Sequence, residues 1–100
     1  MLKITLSLDA KFHIGKLVQT IGFFDWFSEE RHGSELAACI LKHTTGDYGD
    51  SCKLGVQLNE ASILDGSDSV LSFYEISGQS IRIQTNLQQG VTTLLLAGED

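Results

Sequence analysis

The chain has 100 residues, 42% of them hydrophobic, and its 13 acidic side chains outnumber 7 Lys and Arg to give a formal net charge of −6. This length suits one domain, spanning residues 1–100. Non-specific binding to nucleic acid or to an anionic membrane is disfavoured, because both need clustered Lys and Arg. No segment approaches the roughly 20 apolar residues of a membrane span, and no signal-peptide pattern is present. We therefore expect a cytoplasmic protein with no membrane partner.

Two extended segments are predicted before the first helix. In residues 2–8 every second side chain is leucine or isoleucine, which is typical of a strand with one buried and one wet face. Residues 15–21 alternate in a similar way, and Gly22 then breaks the pattern. Both segments are expected to form strands.

Helical character begins with an aromatic segment. Phe23 and its neighbours predict a short helix with a buried aromatic side, ending near Gly33. Ser34 is expected to cap a second helix, because its hydroxyl can accept a backbone amide of the first turn. Lys42 and His43 lie at the end of that helix, where the helix dipole favours positive charge.

A third helix is predicted to begin with Asp50 or Ser51 as its cap and to run to about residue 64. Apolar side chains recur along it at helical spacing. Those expected to face the core are Leu54, Leu58, Ala61 and Leu64.

The last third of the chain predicts an antiparallel meander. Residues 70–76, 81–85 and 91–96 have strand composition, and the Ser77-Gly78 pair between the first two is a turn signal. Strands at both ends with helices in the middle predict an α+β fold. We expect a single small domain whose antiparallel sheet, made of the N-terminal strand and the C-terminal three-stranded meander, packs against two or three helices.

The densest polar cluster covers residues 43–50. His43, Asp47 and Asp50 could bind a divalent metal or act as acid and base. The same residues also suit a connection, in which Gly46 ends a helix, Asp47 bonds to turn amides and Asp50 caps the next helix. One histidine with two acids falls short of the three or four ligands of a zinc site. The structural interpretation is favoured, so no metal, cofactor or catalytic residue is expected.

Four of the five residues in 23–27 are aromatic. Such a run is typical of a core segment, although Trp and Phe also anchor protein interfaces. Four rings so close together cannot all face one side of a helix. At least one is therefore expected to be exposed and to mark a contact surface.

Four stretches of the sequence carry a resemblance: LKHTTGDYGD (41–50), LNEASILDG (58–66), VLSFYEISGQSIRIQT (70–85) and VTTLLLAGED (91–100). They resemble a family of small proteins, often called plasmid-related, that are found on bacterial plasmids, phages and other mobile elements. The matching positions are His43, Gly46, Asp47, Tyr48, Gly49, Asn59, Glu60, Ser72, Tyr74, Thr92 and Thr93. Tyr48 stands where the family usually has Trp.

The resemblance implies a small accessory protein of a mobile element. Such elements carry compact acidic proteins that block host defence machinery, including anti-CRISPR proteins. Together with the net charge, this predicts a non-catalytic inhibitor that docks on a basic surface of a host nucleic-acid-handling or defence complex, without binding nucleic acid directly. The expected contact residues are Asp25, Trp26, Glu29 and Glu30 on one element and Asp47, Tyr48 and Asp50 on another.

Two other functions remain open at this point. One is a metal-dependent hydrolase or nuclease that uses His43, Asp47 and Asp50. The other is a component of a toxin–antitoxin module, which would differ from an inhibitor only in its partner.

Overall fold

A computed structural model describes residues 10–99 as an α+β domain, which confirms the predicted fold class. The elements are β1 (Lys16–Gln19), α1 (Ile21–Trp26), α2 (Glu29–Thr45), α3 (Lys53–Asp65), β2 (Ser69–Ile76), β3 (Gln79–Asn86) and β4 (Val91–Leu96). The strand predicted over residues 2–8 lies outside the described residues.

The four strands form one sheet in the order β1-β4-β3-β2. The meander is confirmed, since β2, β3 and β4 are antiparallel neighbours and Ser77-Gly78 makes the two-residue turn between the first two. Both turn residues have positive φ, as this tight hairpin requires. The sheet is antiparallel except at one edge, where β1 runs parallel to β4 and Lys16 pairs with Val91. A parallel pair needs a long crossover, and all three helices lie in that connection.

The helix boundary expected at Gly33 and Ser34 is wrong. The break falls earlier, where Ser28 accepts a hydrogen bond from the Arg31 amide and caps α2. α2 then runs through Gly33 to Thr45 and ends at Gly46, whose φ of 97° is the left-handed conformation common at helix ends. A glycine inside a helix lowers helix stability by about 1 kcal/mol relative to alanine. Packing of the long apolar face that follows outweighs this loss, so the helix continues through Gly33.

α3 begins one or two residues later than expected, because Cys52 rather than Ser51 or Asp50 caps it. The Cys52 Sγ accepts from the Gly55 amide at 3.4 Å. The helix ends at Gly66, which is also left-handed.

The core lies between the sheet and the first two helices. It is built from side chains of α1, α2 and the inner face of the meander: Phe23, Leu36, Cys39, Ile40, Tyr74, Ile76, Ile81, Ile83 and Leu94. Among residues 10–99, no helix is long and apolar enough to cross a membrane.

Candidate functional site

His43 is fully buried in the last turn of α2, facing the sheet. Its Nδ1 is hydrogen-bonded to the Ser72 hydroxyl on β2, and its Nε2 lies 2.9 Å from the Thr85 hydroxyl on β3. The Thr85 and Thr92 hydroxyls are in turn 2.7 Å apart. We call these four residues the buried polar cluster. It ties α2 to three neighbouring strands.

The hydrogen bonds fix which ring nitrogen of His43 carries the proton. The Thr92 hydroxyl donates to the Ile14 carbonyl at 2.7 Å, so it accepts from Thr85. The Thr85 hydroxyl, having used its proton, must accept from His43 Nε2. Nδ1 is left as the acceptor for Ser72, and burial lowers the pKa of His43 to about 4. The imidazole is therefore neutral, with both nitrogens engaged inside the protein.

The three residues proposed as a metal site are not arranged as one. Asp47 and Asp50 are exposed whereas His43 is fully buried. The Asp47 carboxylate accepts from the Gly49 amide at 3.2 Å, which is the turn role expected for it. Within residues 10–99 no group of three or more His, Cys, Asp or Glu side chains is placed to hold a metal ion. The alternative of a metal-dependent enzyme loses the ligand set on which it rested.

Tyr48 is also internal, with only 3% of its surface exposed. Its hydroxyl donates to Glu60 at 3.2 Å, and burial beside that carboxylate raises the pKa of Tyr48 to about 12. Glu60 also pairs with Lys11 at 3.1 Å. The Tyr48 ring is thus unavailable to a partner, although the sequence predicted it as a contact residue.

The outer edge of β2 is closed by the segment around Gly49. The Phe73 amide donates to the Tyr48 carbonyl, and the Asp50 amide donates to the Phe73 carbonyl at 2.8 Å. Gly49 has φ of 66°, and a Cβ there would collide with the Phe73 carbonyl oxygen. Only glycine allows the two backbones to come this close.

Asn59 closes the same edge one step further along. Its side-chain amide donates to the Leu71 carbonyl at 2.6 Å, and its side-chain carbonyl accepts from the Leu71 amide at 2.9 Å. Asn59 is buried at the inner face of α3 and completes the hydrogen bonds that a neighbouring strand would otherwise make.

The exposed aromatic residue in the run 23–27 is Phe24, with 65% of its surface in contact with solvent. Ile21, three residues earlier on α1, is 82% exposed. Trp26 is half-buried, because its ring stacks on His32 at 4.2 Å between ring centres. Phe24 rather than Trp26 is therefore the aromatic side chain that α1 presents to solvent, and the sequence pattern did not distinguish the two.

Acidic side chains are exposed on the same helix as this apolar pair and at the start of the next helix. Asp25 is exposed on α1, and Glu29 and Glu30 are exposed in the first turn of α2, which begins three residues after the end of α1. Acids in a first helical turn also stabilise the helix through its dipole. We call Ile21, Phe24, Asp25, Glu29 and Glu30 the α1–α2 surface.

α3 is turned the opposite way from the prediction. The four residues expected to face the core lie in solvent, with Leu54 63% exposed, Leu58 60% and Leu64 89%, and Ala61 exposed between them. The prediction that these four face the core is wrong, because Asn59 bonds to the edge of β2 and fixes the opposite side of the helix inward. We call Leu54, Leu58, Ala61 and Leu64 the outer stripe.

A groove of about 260 Å³ runs beside the outer stripe, between α3 and β2. Leu58, Leu71 and Phe73 supply its apolar wall, and Cys52 and Asp68 are also among the residues that line it. Phe73 is 38% exposed there. The leucine spacing in the sequence could have indicated this surface only if the inward role of Asn59 had been known.

Comparisons with known proteins do not extend this description. No protein-family model matches the chain, and no match was found among curated proteins or solved structures. The resemblance to plasmid-related proteins stays a prediction. The motif residues that carry it include His43, Tyr48 and Asn59, whose side chains have hydrogen-bond partners within the protein.

Proposed function

We propose that the protein is a small, non-catalytic binding protein that docks on a basic surface of a host nucleic-acid-handling or defence protein, in the manner of an anti-CRISPR inhibitor. The observation that carries this proposal is the α1–α2 surface, where Phe24 and Ile21 are exposed on α1 and three acids are exposed on α1 and in the first turn of α2. Exposed aromatic residues are the usual anchors of protein interfaces.

The charge of the chain supports a basic partner. The net charge of −6 attracts a positive surface over a long range and so accelerates encounter with it. The same charge repels nucleic acid. Asp25, Glu29 and Glu30 then meet the cations of the partner, and Phe24 enters an apolar site between them. Of the contact residues predicted from the sequence, two are left out of this proposal. The Trp26 ring is stacked on His32, and Tyr48 is buried. Asp47 and Asp50 remain exposed and can add to the same electrostatic field.

The enzymatic alternative has less support. A hydrolase built on His43 would need a free ring nitrogen, and both nitrogens are hydrogen-bonded to buried hydroxyls. The neutral, enclosed imidazole contributes to stability.

The proposal is tested by affinity capture from a bacterial host lysate with the full chain as bait, followed by binding measurements with the purified partner. Replacing Phe24→Ser should weaken binding by about tenfold or more, as for an interface anchor. Replacing Asp25→Asn, Glu29→Gln and Glu30→Gln together should slow association and reduce its dependence on salt. Leu64→Ser on α3 is the matched control, because Leu64 is at least as exposed as Phe24 and lies on another face.

Two results would overturn the proposal. One is a captured partner whose affinity is the same at low and high ionic strength, since exposed charges are screened by salt. The other is a Phe24→Ser variant that binds as tightly as the original chain while Leu64→Ser does not.

A further inference from the structure

We propose that the outer stripe of α3 is a self-association surface, on which α3 of a second copy of this chain packs antiparallel. Leu54, Leu58 and Ala61 lie at spacings of four and three residues, which place them in one line along the helix. This is the pattern by which one helix packs on another. In an isolated copy the two leucines are each about two-thirds exposed.

The occupant of this surface must bind through side chains. A strand could only add at the free backbone edge of β2, but Phe73 already pairs with Tyr48 and Asp50, and Leu71 pairs with Asn59. Strand addition is therefore blocked on this side of the sheet. A helix needs no backbone partners, because its own hydrogen bonds are internal.

The groove beside the stripe suits a helix that carries leucines. Its apolar wall is formed by Leu58, Leu71 and Phe73, and its volume of about 260 Å³ accommodates a large aliphatic side chain. When two α3 helices lie antiparallel with their centres aligned, Leu54 of each copy faces the Ala61 and Leu64 end of the other. A large side chain then meets a small one along part of the contact.

The charges on α3 favour a second copy over a strongly basic partner. Lys53 is the first residue of the helix and Asp65 is the last, while the one other acid, Glu60, is engaged by Lys11 and Tyr48. An antiparallel arrangement brings Lys53 of one copy to Asp65 of the other, twice over. Asp68, which lines the groove, adds negative charge close in sequence to Asp65. Antiparallel helix dipoles also attract each other.

The expected dimer is weak and reversible. A helix of 13 residues is roughly 20 Å long, so the contact is smaller than the roughly 800 Å² per partner of a standard interface. The overall charge of −6 on each copy also opposes association at low salt. Salt screens both this repulsion and the two Lys53–Asp65 pairs, so the dimer should depend on salt less than binding of a basic partner does.

Sedimentation equilibrium of the full chain over a wide concentration range tests the proposal. We expect a monomer–dimer equilibrium, and Leu58→Asp should raise its dissociation constant about 30-fold or more, because it places a charge in the centre of the contact. Ile21→Asp is the matched control, since Ile21 is equally apolar, more exposed and on α1. Circular dichroism checks that both variants remain folded.

A charge exchange tests the antiparallel arrangement itself. Lys53→Asp places acids at both ends of α3, and Asp65→Lys places lysines at both ends. Each variant alone should dimerise more weakly than the original chain by several fold. An equimolar mixture should form a heterodimer, visible by native mass spectrometry. In the heterodimer each acidic helix end of one variant lies against a basic helix end of the other.

Three results would overturn the proposal. The first is a full chain that stays monomeric at the highest soluble concentration. The second is a Leu58→Asp variant that dimerises as well as the original, which would place the contact elsewhere. The third is a mixture of the charge variants that shows no preference for the heterodimer. None of these outcomes bears on the α1–α2 surface, so this proposal and the proposed function fail independently.

Discussion

The buried polar cluster and the outer stripe invert the usual distribution of side chains. In the cluster, His43 and three hydroxyl residues are enclosed with no exposed surface. On α3, by contrast, three leucines are mostly in solvent. The difference lies in hydrogen bonding. Each polar group in the cluster has a hydrogen-bond partner, so its burial costs little free energy. On α3 the side that faces the sheet is the one with Asn59, which bonds to the sheet edge, and the leucines are therefore on the outer side.

Polarity alone does not decide which face of a helix or strand points inward. Both regions are positioned by backbone or hydroxyl groups that need partners. A helix beside an open sheet edge is oriented by the residue that can close the edge. The apolar side of that helix is then free for another use.

The largest expected effect is the removal of the imidazole. His43→Ala would leave Ser72 and Thr85 without their shared partner and open a cavity beneath the sheet, lowering the free energy of unfolding by about 3–5 kcal/mol. Urea unfolding followed by circular dichroism measures this. His13→Ala is the control, because His13 is exposed and should change stability by less than about 0.5 kcal/mol. Equal effects at the two positions would mean that the cluster does not stabilise the fold.

The second expected effect is a loss of stability in mild acid. Unfolded His43 takes up a proton as the pH falls through 6.5, but the folded protein takes it up only near a pKa of about 4. The unfolded state therefore binds more protons in this window, and stability declines as the pH drops from 6.5 toward 4, by about 3 kcal/mol in total.

Urea midpoints measured between about pH 7 and about pH 5 check this slope. Above about pH 5 the carboxylates contribute little, and the lowered pKa of Glu99 moves its contribution to still lower pH. A His43→Gln variant should show a flatter profile over the same range. An unchanged slope in that variant would assign the acid sensitivity to other groups.

A smaller effect is expected where α3 meets the sheet. Asn59→Ala would leave the amide and carbonyl of Leu71 without their side-chain partner and should cost about 1–3 kcal/mol. Gln57→Ala on the same helix is exposed and should be close to neutral. Faster hydrogen exchange at the Leu71 amide, detected by NMR, would separate loss of this contact from general destabilisation.

The smallest effect is expected on the outer stripe. Leu54→Gln removes an apolar side chain that is mostly in solvent, so the stability of the monomer should change by no more than about 0.5 kcal/mol. Thermal unfolding of dilute protein measures this, because dilution keeps the dimer from contributing. A loss comparable to that of His43→Ala would show that the leucines support the fold and would remove the contrast between the two regions.

Much of the fold was predictable because the local signals agree with the tertiary structure. The strand over 91–96 has the predicted bounds, and the Ser77-Gly78 turn joins the two strands expected beside it. The start of α2 was not predictable from the sequence. Gly33 and Ser34 have the residue types of a helix boundary, whereas Ser28, which forms the cap, directly follows the aromatic segment. The parallel pairing of β1 with β4 depends on contacts between distant residues, which local patterns do not contain.

The candidate surfaces were only partly predictable. Exposure of one aromatic residue followed from helix geometry, but its assignment to Phe24 needed the stacking of Trp26 on His32. The acids Asp25, Glu29 and Glu30 are exposed, as charged residues usually are. The outer stripe was predicted with the wrong orientation, since helical spacing gives the line of leucines and not the direction in which it points.

The pairing of β1 with β4 has a consequence for synthesis of the chain. Lys16 and Val91 are partners although 75 positions separate them (91 minus 16), so β1 is made first and cannot pair until β4 has left the ribosome. The meander, by contrast, can form as soon as its two short turns are made. Docking of β1, secured by the Thr20 hydroxyl on Glu99 at 2.6 Å, is therefore expected to be the closing step of folding.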